Sequence, residues 1–381
     1  MKFQRYQWKT CQNDKNNCNF TNLRCIIIVN IFFKIEMDGN NYKLYVGGFI
    51  MQYNVAVVGA TGMVGNKFIE VLAERNFPVK NLYLFASKRS AGKTLKFKDA
   101  DVLVEELVED NIKNKKIDFA LFSAGGSISL EYAPIFARYG AVAIDNSSAW
   151  RMDPEVPLVV PEVNPEDIKL HKGIIANPNC STIQAVVALK PLHEKYGIKR
   201  IIYSTYQAVS GAGVSGFNDL EEGYKGNAPT KFPYPIAGNV IPHIDSFLET
   251  GYTKEEMKMI NETRKILHND DLKITATTVR VPVFYGHSES VNVELENSFE
   301  LEDIFEMYRN AEGIILEDDV NNLVYPLPIN AEGHDEVYVG RIRRDFSVDN
   351  GLNLWIVADN IRKGAASNAI QIAERMISWD K

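Results

Sequence analysis

Cysteine is scarce in this chain of 381 residues: there are four, and Cys11, Cys18 and Cys25 all precede Ile26. Cys180 is therefore the single thiol of the remainder. Such a distribution cannot build a disulfide framework, and it points to a reducing compartment, so a cytoplasmic protein is expected. The spacing of the first three fits no usual zinc pattern and no other ligand cluster stands out, so no metal is expected. Long apolar runs are also missing. Nothing approaches the roughly 20 residues that span a bilayer. The longest candidate, Ile26 to Phe33, is interrupted by Asn30 and closed by Lys34 and Glu36, with no small-residue cleavage site after it. Positive charge is not in excess either. The formal net charge of -7 argues against a nucleic-acid or anionic-membrane partner, while individual basic clusters can still bind small anions.

What is present is enough chain for two domains and a sizeable core. Residues 1–50 are dominated by Asn, Lys, Ile, Phe and Tyr, the residues of AT-rich codons, and a clean strand opens just after Met51. They are expected to be an N-terminal extension, either dispensable or upstream of the true start. Beyond Met51, Tyr53 to Val58 is an apolar, β-branched run that ends in GATGMVG (59–65) and continues as an amphipathic helix through Lys67 to Ala73. Strand, glycine turn and helix together place a pyrophosphate on a helix N-terminus, with glycines where backbone must come close. The next strand, Asn81 to Ala86, ends where an NAD enzyme usually carries an acidic residue for the ribose hydroxyl. Here it runs into Ser87, Lys88, Arg89 and Ser90, and two cations with two hydroxyls suit a 2′-phosphate. NADP is the expected cofactor.

Strand and helix go on alternating through Phe119 to Ser123, a helix to Tyr139, and Ala141 to Ile144, which predicts a Rossmann-like, doubly wound parallel sheet. After Cys180 the pattern changes. Strands over 200–206, 273–283, 290–296, 337–345 and 352–357 with only two clear helices among them predict a mixed α+β second domain. A last helix, 364–377, is expected to return to the first. The expected division is 1–50 as extension, 51–178 as the nucleotide-binding domain completed by 358–381, and 179–357 as a catalytic and dimerisation domain.

Cys180 lies where a loop turns into a helix: Pro178 forbids helix before it, and Ile183 to Leu192 is a buried helical run after it. Unpaired N–H groups and the positive end of the helix dipole favour a thiolate there. A buried structural cysteine is the plain alternative. A thiol nucleophile beside a nicotinamide suggests aldehyde oxidation through a thioester, which asks for an acid–base group and an anchor for the substrate. Of the six histidines, His287 follows a strand and Phe284-Tyr285-Gly286, with Arg280 earlier on the same stretch, so the two can converge on one cleft.

Eight separated motifs agree in order and spacing with one family: GATGMVG, SKRSAGK, DNSSAWRMD, NPNCSTIQ, YQAVSGAG, EEMKMINETRK, RVPVFYGHSES and NIRKGAA. From about Met51 to the C-terminus the chain closely resembles the bacterial type of aspartate-semialdehyde dehydrogenase; the extension has no counterpart. The resemblance implies that Cys180 carries the acyl group, His287 is the acid–base catalyst, Gln207 positions substrate and Arg280 anchors its carboxylate. It implies that Arg151 and Lys258 hold phosphate and that Glu255 faces the substrate amine. Thr61, Gly62, Met63, Val64, Arg89, Ser90, Ser210, Gly211 and Asn360 would contact NADP. It further implies interconversion of L-aspartate 4-semialdehyde plus phosphate with L-4-aspartyl phosphate, in lysine (diaminopimelate), threonine and methionine biosynthesis, by a homodimer or dimer of dimers. The competing expectations are a related acyl-phosphate reductase of the N-acetyl-glutamyl-phosphate type and a catalytically idle NADP-binding regulator. A cysteine hydrolase would not need the glycine turn.

Overall fold

The structure, a computed structural model, describes residues 33–38, 41–46 and 51–379. Strands β1 (Phe33–Asp38) and β2 (Asn41–Val46) pair antiparallel and belong to a unit of their own. The expectations for the rest of the extension, its three cysteines included, lie outside the described residues.

The body opens on a seven-stranded sheet of β3 (Tyr53–Val58), β4 (Val79–Ala86), β5 (Thr94–Phe97), β6 (Ala100–Glu106), β7 (Phe119–Phe122), β8 (Val142–Asp145) and β9 (Ile174–Ala176). Its order is β5-β6-β4-β3-β7-β8-β9, and every neighbouring pair is parallel except β5 with β6. Along β3, Val55 and Val57 enter one core while Ala56 and Val58 enter another. A strand covered on both faces has no wet side, which is why it reads as an unbroken apolar run. Helices α1 (Met63–Glu74), α3 (Gly126–Arg138) and α9 (Ser367–Trp379), with the single turn α2 (Glu109–Ile112), flank this sheet. Phe68 and Leu72 of α1 share one core with Ala369, Ile370 and Ala373 of α9; Ala133 and Phe136 of α3 fill the other. Chain order runs outward from β3 in both directions, so the crevice at the C-terminal ends of β3 and β7 is a topological switch point, where such sheets bind ligands.

Helix α4 (Cys180–Tyr196) leads into a second, six-stranded sheet: β10 (Ile198–Gln207), β11 (Lys273–Arg280), β12 (His287–Leu295), β13 (Ile314–Leu316), β14 (Val337–Asp345) and β15 (Gly351–Ala358). The order is β11-β10-β12-β15-β14-β13, with β10/β11 and β13/β14 parallel and the other pairs antiparallel. In β12 His287, Glu289, Val291, Val293 and Leu295 are buried while Ser290, Asn292 and Glu294 are more open. This period of two marks a sheet with one packed face. That face meets α4, α6 (Lys254–Ile266) and α7 (Leu301–Arg309) in the largest core. The mixed α+β expectation therefore agrees with the fold, with α5 (Gly213–Tyr224) and the short α8 (Pro328–Ala331) adding helices beyond the two expected.

Three details differ from the sequence reading. The strand expected to reach Val283 stops at Arg280, where Ile241 supplies the edge contact and Pro282 can donate nothing to a ladder. The strand expected from Ser290 already begins at His287, which is paired with Ala358 and is not a loop residue. The last helix starts at Ser367, after a wider π-type turn over Arg362–Ala366. Among the described residues no helix is long and apolar enough to cross a membrane.

Candidate active site

A cleft of about 580 Å³ lies at the switch point, bounded by the loops after β3, β7, β8 and β9 on one side and by β10, α6 and β11 on the other. Cys180 is the first residue of α4 and lines it. The local sequence fixes this: Asn179 has an extended backbone and its Oδ1 accepts the N–H groups of Ser181 at 3.0 Å and Thr182 at 3.3 Å, capping the helix. The cap has a consequence for the thiol. Two of the free donors are taken, and burial, followed by the negative charge of Glu255, pushes the Cys180 thiol up to about 12 against the opposing pull of Arg280, Arg151 and the Ser181 N–H. The expected bias of the helix end toward thiolate is present but loses to desolvation.

Arg151 is buried, and all three of its guanidinium nitrogens are engaged. Nε donates to the Asn177 carbonyl at 2.9 Å, Nη1 to Glu262 at 2.9 Å and Nη2 to the Asn146 carbonyl at 2.7 Å. A guanidinium has five N–H donors, so two remain for a ligand. Its partner is Glu262, not the neighbouring Asp153. Glu255 is also buried, and it accepts from Asn179 Nδ2 at 2.9 Å, Gln207 Nε2 at 3.1 Å and Lys258 Nζ at 3.0 Å. Burial opposes its ionisation, but Lys258 with the two amides outweighs burial and holds the carboxyl below its usual range. Lys258 in turn reaches Asp245 at 2.8 Å, and despite desolvation its two carboxylate neighbours keep its pKa raised. The pair is thus part of the cleft wall and not an exposed i, i+3 pair.

His287 is fully buried, and its Nδ1 accepts the Ala208 N–H at 3.0 Å. Its Nε2 has no partner among the described residues. Burial and then the Arg280 charge push the ring down to about 3, so it is neutral. Arg280 donates from Nη1 to the Ala208 carbonyl at 2.6 Å, and its Nε has no partner among the described residues. The two side chains do converge: a Cβ placed on Gly211 would lie 3.0 Å from Arg280 Nη1 and 3.2 Å from His287 Nε2. Only a residue without a side chain leaves that space open.

The cofactor residues divide into two places. Gly62, Met63 and Val64 open α1 onto the cleft; Gly62 provides no side-chain cap and the first turn has no acidic residue, so its N–H groups can meet an anion. Close packing of the turn is structural: a Cβ on Gly65 would lie 2.1 Å from the Gly59 carbonyl oxygen. Across the cleft, Asn360 Nδ2 donates to Ser210 Oγ at 3.0 Å, and its Oδ1 accepts the Gly286 N–H, also at 3.0 Å. Arg89 and Ser90 sit outside the cleft lining, in the turn after β4 that Ser90 N–H closes onto the Ser87 carbonyl at 2.8 Å. Lys88 and Arg89 are exposed there and make no ion pair among the described residues. These features fit an extended dinucleotide. Among the described residues no group of His, Cys, Asp and Glu could hold a metal.

Residues 54–171 match the family model for the semialdehyde dehydrogenase NAD binding domain, and residues 189–363 match that for the semialdehyde dehydrogenase dimerisation domain. Aspartate-semialdehyde dehydrogenase of Aquifex aeolicus is 60% identical over 336 residues, 86% of this chain and 98% of that protein. The chain belongs to the aspartate-semialdehyde dehydrogenase family. The solved structure of aspartate semialdehyde dehydrogenase II from Vibrio cholerae, complexed with ASA, is 48% identical with a TM-score of 0.83, covering 86% of this chain and 99% of that one. That of the Candida albicans enzyme with NADP is 28% identical with a TM-score of 0.68, covering 86% and 98%. A nicotinamide cofactor, an oxidoreductase fold and a dimerisation domain come with membership. These relatives do not favour the N-acetyl-glutamyl-phosphate type or an idle regulator.

Glu262 was not singled out from sequence, although it stands seven residues after Glu255 and four after Lys258, on the same face of α6. That spacing was the available signal. Asn146, Ser148 and the exposed Lys231, which also line the cleft, carried none.

Proposed function

We propose that this chain interconverts L-aspartate 4-semialdehyde plus phosphate and L-4-aspartyl phosphate with NADP, the reducing direction leading toward lysine, threonine and methionine. The observation that carries the reading is that Cys180, Arg280 and Gly211 line one cleft beside an uncapped helix N-terminus, with His287 Nε2 buried against the same Gly211 that Arg280 Nη1 approaches. Arg280 receives the substrate carboxylate with its free donors. Glu255, ionised, takes the substrate ammonium, and Gln207, bonded to Glu255, sets the position of the acyl group. Arg151 and Lys258 hold the phosphate. Thr61 to Val64 take the pyrophosphate at the start of α1, Ser210, Gly211 and Asn360 contact the cofactor across the cleft, and Arg89 with Ser90 binds the 2′-phosphate, which is the basis for NADP over NAD.

Burial and Glu255 push the Cys180 thiol toward its protonated form, so Sγ becomes nucleophilic as its proton passes to the phosphate group of the substrate. Sγ attacks the acyl carbon of aspartyl phosphate, the C–S bond forms, the carbon–oxygen bond to the phosphate breaks, and the thiol proton departs with inorganic phosphate. No protein base has to keep that proton. When bound, the nicotinamide supplies the hydride that reduces the thioester, or accepts it in the oxidising direction. His287 carries its proton on Nε2, because Nδ1 is already an acceptor for Ala208, so its part in the expected acid–base role is that of donor to the tetrahedral oxygen. Collapse of that adduct breaks the C–S bond and releases the semialdehyde, the Cys180 sulfur leaving as a thiolate that takes up one proton from solvent.

For the organisation we propose 51–178 with 358–381 as the nucleotide-binding part and 179–357 as the catalytic part, dimerising through the latter, in the cytoplasm. The extension 1–50 is proposed to be dispensable. The test is NADP reduction by the purified chain: it should require both the semialdehyde and phosphate, and Cys180→Ser should abolish it while NADP still binds. Reduction without phosphate, or a fully active serine variant, would overturn the reading.

A further inference from the structure

Two residues beyond His287 on the same face of β12 lies Glu289, fully buried, with neither carboxylate oxygen accepting a hydrogen bond. Among the described residues no cation reaches it. Across β10 its neighbour is Thr205, whose hydroxyl is committed to Gln207 Oε1 at 3.0 Å; across β15 it is Ile356. The hydroxyl of Tyr203, also on β10, is engaged with Thr263 at 3.1 Å. From α4 the polar group within reach is Gln184, one helical turn after Cys180. Gln184 Nε2 donates to the His287 carbonyl at 3.3 Å, which leaves Gln184 Oε1 buried and without a donor. Were Glu289 ionised, its one side-chain partner among the described residues would be the Gln184 amide, whose Nε2 already serves the His287 carbonyl; the buried charge would have no cation beside it and Gln184 Oε1 would still lack a donor. Unpaired buried acceptors are costly, and an unpaired buried charge more so.

One proton resolves the deficit. We propose that Glu289 is a neutral carboxylic acid whose O–H donates to Gln184 Oε1, so that Glu289, Gln184 and the His287 carbonyl form one relay tying the strand that carries the imidazole to the helix that carries Cys180. Glu289 and Gln184 are then positioning residues, acting through His287 and α4 and touching no substrate. Burial raises the Glu289 carboxyl well above the usual carboxylate range, outweighing the opposing contact of the Gln184 amide. The reason for a polar relay here is directional: apolar packing between α4 and β12 would tolerate sliding, whereas a hydrogen-bond chain fixes the register of the two reacting groups, and a misplacement of about 1 Å can cost about 10²-fold in rate.

The inference rests on the reading of His287 as the donor in the reaction, and the experiment separates the two. Infrared difference spectra of the whole chain at neutral pH, wild type against Glu289→Gln, should show the carbonyl stretch of a protonated carboxylic acid that the variant lacks. Kinetically, Glu289→Gln keeps a donor toward Gln184 and should stay close to wild type, whereas Glu289→Leu should lose kcat by about 10²-fold with KM for both substrates nearly unchanged. Carboxylate bands in place of the acid band would overturn the proposal, as would a Gln variant as impaired as the Leu variant. If the Leu variant does not fold, the infrared comparison decides alone. That measurement needs no turnover, so it reports on Glu289 even if the proposed activity fails.

Discussion

Arg151 and Glu262 form a buried ion pair at 2.9 Å, and the other oxygen of Glu262 takes the Asn179 N–H at 2.6 Å, immediately before Cys180. One carboxylate thus aims a phosphate-binding guanidinium and fixes the residue that caps α4. Removing one partner of a buried pair leaves the other charge uncompensated, at about 3–5 kcal/mol. Glu262→Ala should lower stability by an amount of that order in denaturant unfolding, and should raise KM for phosphate in whatever folds. Glu262→Gln, which keeps an acceptor for Asn179, should lose less on both counts. Wild-type stability in the alanine variant would mean that Arg151 finds another partner.

The Ala208 N–H on His287 Nδ1 makes a second prediction. With the ring pushed down to about 3, it should not titrate across pH 5 to 8, so the ring-proton resonance that disappears in His287→Gln should hold its shift over that range. The sign for stability follows. The folded pKa lies below the unfolded value of about 6.5, so the stabilising contribution is complete above pH 6.5 and is lost as pH falls toward 3. Acid unfolding of His287→Gln should accordingly be shallower in that window than that of the wild type. A resonance that shifts with a midpoint near neutrality would show the imidazolium is accessible and restore a base role to the ring.

Much of this was legible in the sequence because the physics is local. β3, the turn at Gly59 and α1 follow from apolar periodicity and glycine spacing, and Cys180 at a helix start follows from Pro178 and the apolar run after Ile183. What was not legible depends on groups distant in sequence. The thiol's rise to about 12 requires Glu255 and enclosure of the cleft, 75 residues further on. The tautomer of His287 is set by Ala208, 79 positions away. β5 and β6 were missed because Lys, Asp and Glu interrupt their apolar pattern on an exposed edge.

Cofactor choice is tested at the turn after β4. Arg89 is exposed, has no ion-pair partner among the described residues and lies outside the cleft lining, so its removal should disturb neither the fold nor the reacting groups. Arg89→Ala should raise KM for NADP by about tenfold, the loss of one charge-assisted contact of roughly 1.5 kcal/mol, and leave kcat and the weak use of NAD unchanged. Equal use of NAD and NADP by the wild type would remove the 2′-phosphate contact altogether.

The last prediction concerns Glu255 and Lys258, whose 3.0 Å contact has two possible meanings. Were it only an ion pair on a helix face, replacing either residue would cost a few tenths of a kcal/mol and leave kinetics alone. The neighbours argue otherwise. Glu255 is 5% exposed and binds the Asn179 cap and Gln207 as well as Lys258, so it joins three elements at the cleft wall. Lys258 has a second carboxylate, Asp245, and therefore stays in place when Glu255 is neutralised. Glu255→Gln should thus raise KM for the semialdehyde, whose ammonium loses its counter-charge, with a smaller effect on phosphate. Lys258→Ala should raise KM for phosphate well above that for the semialdehyde, because Glu255 remains ionised with its two amide partners. If the two variants show the same kinetic profile, the residues act as one unit and the assignment of opposite charges to opposite ends of the substrate is wrong.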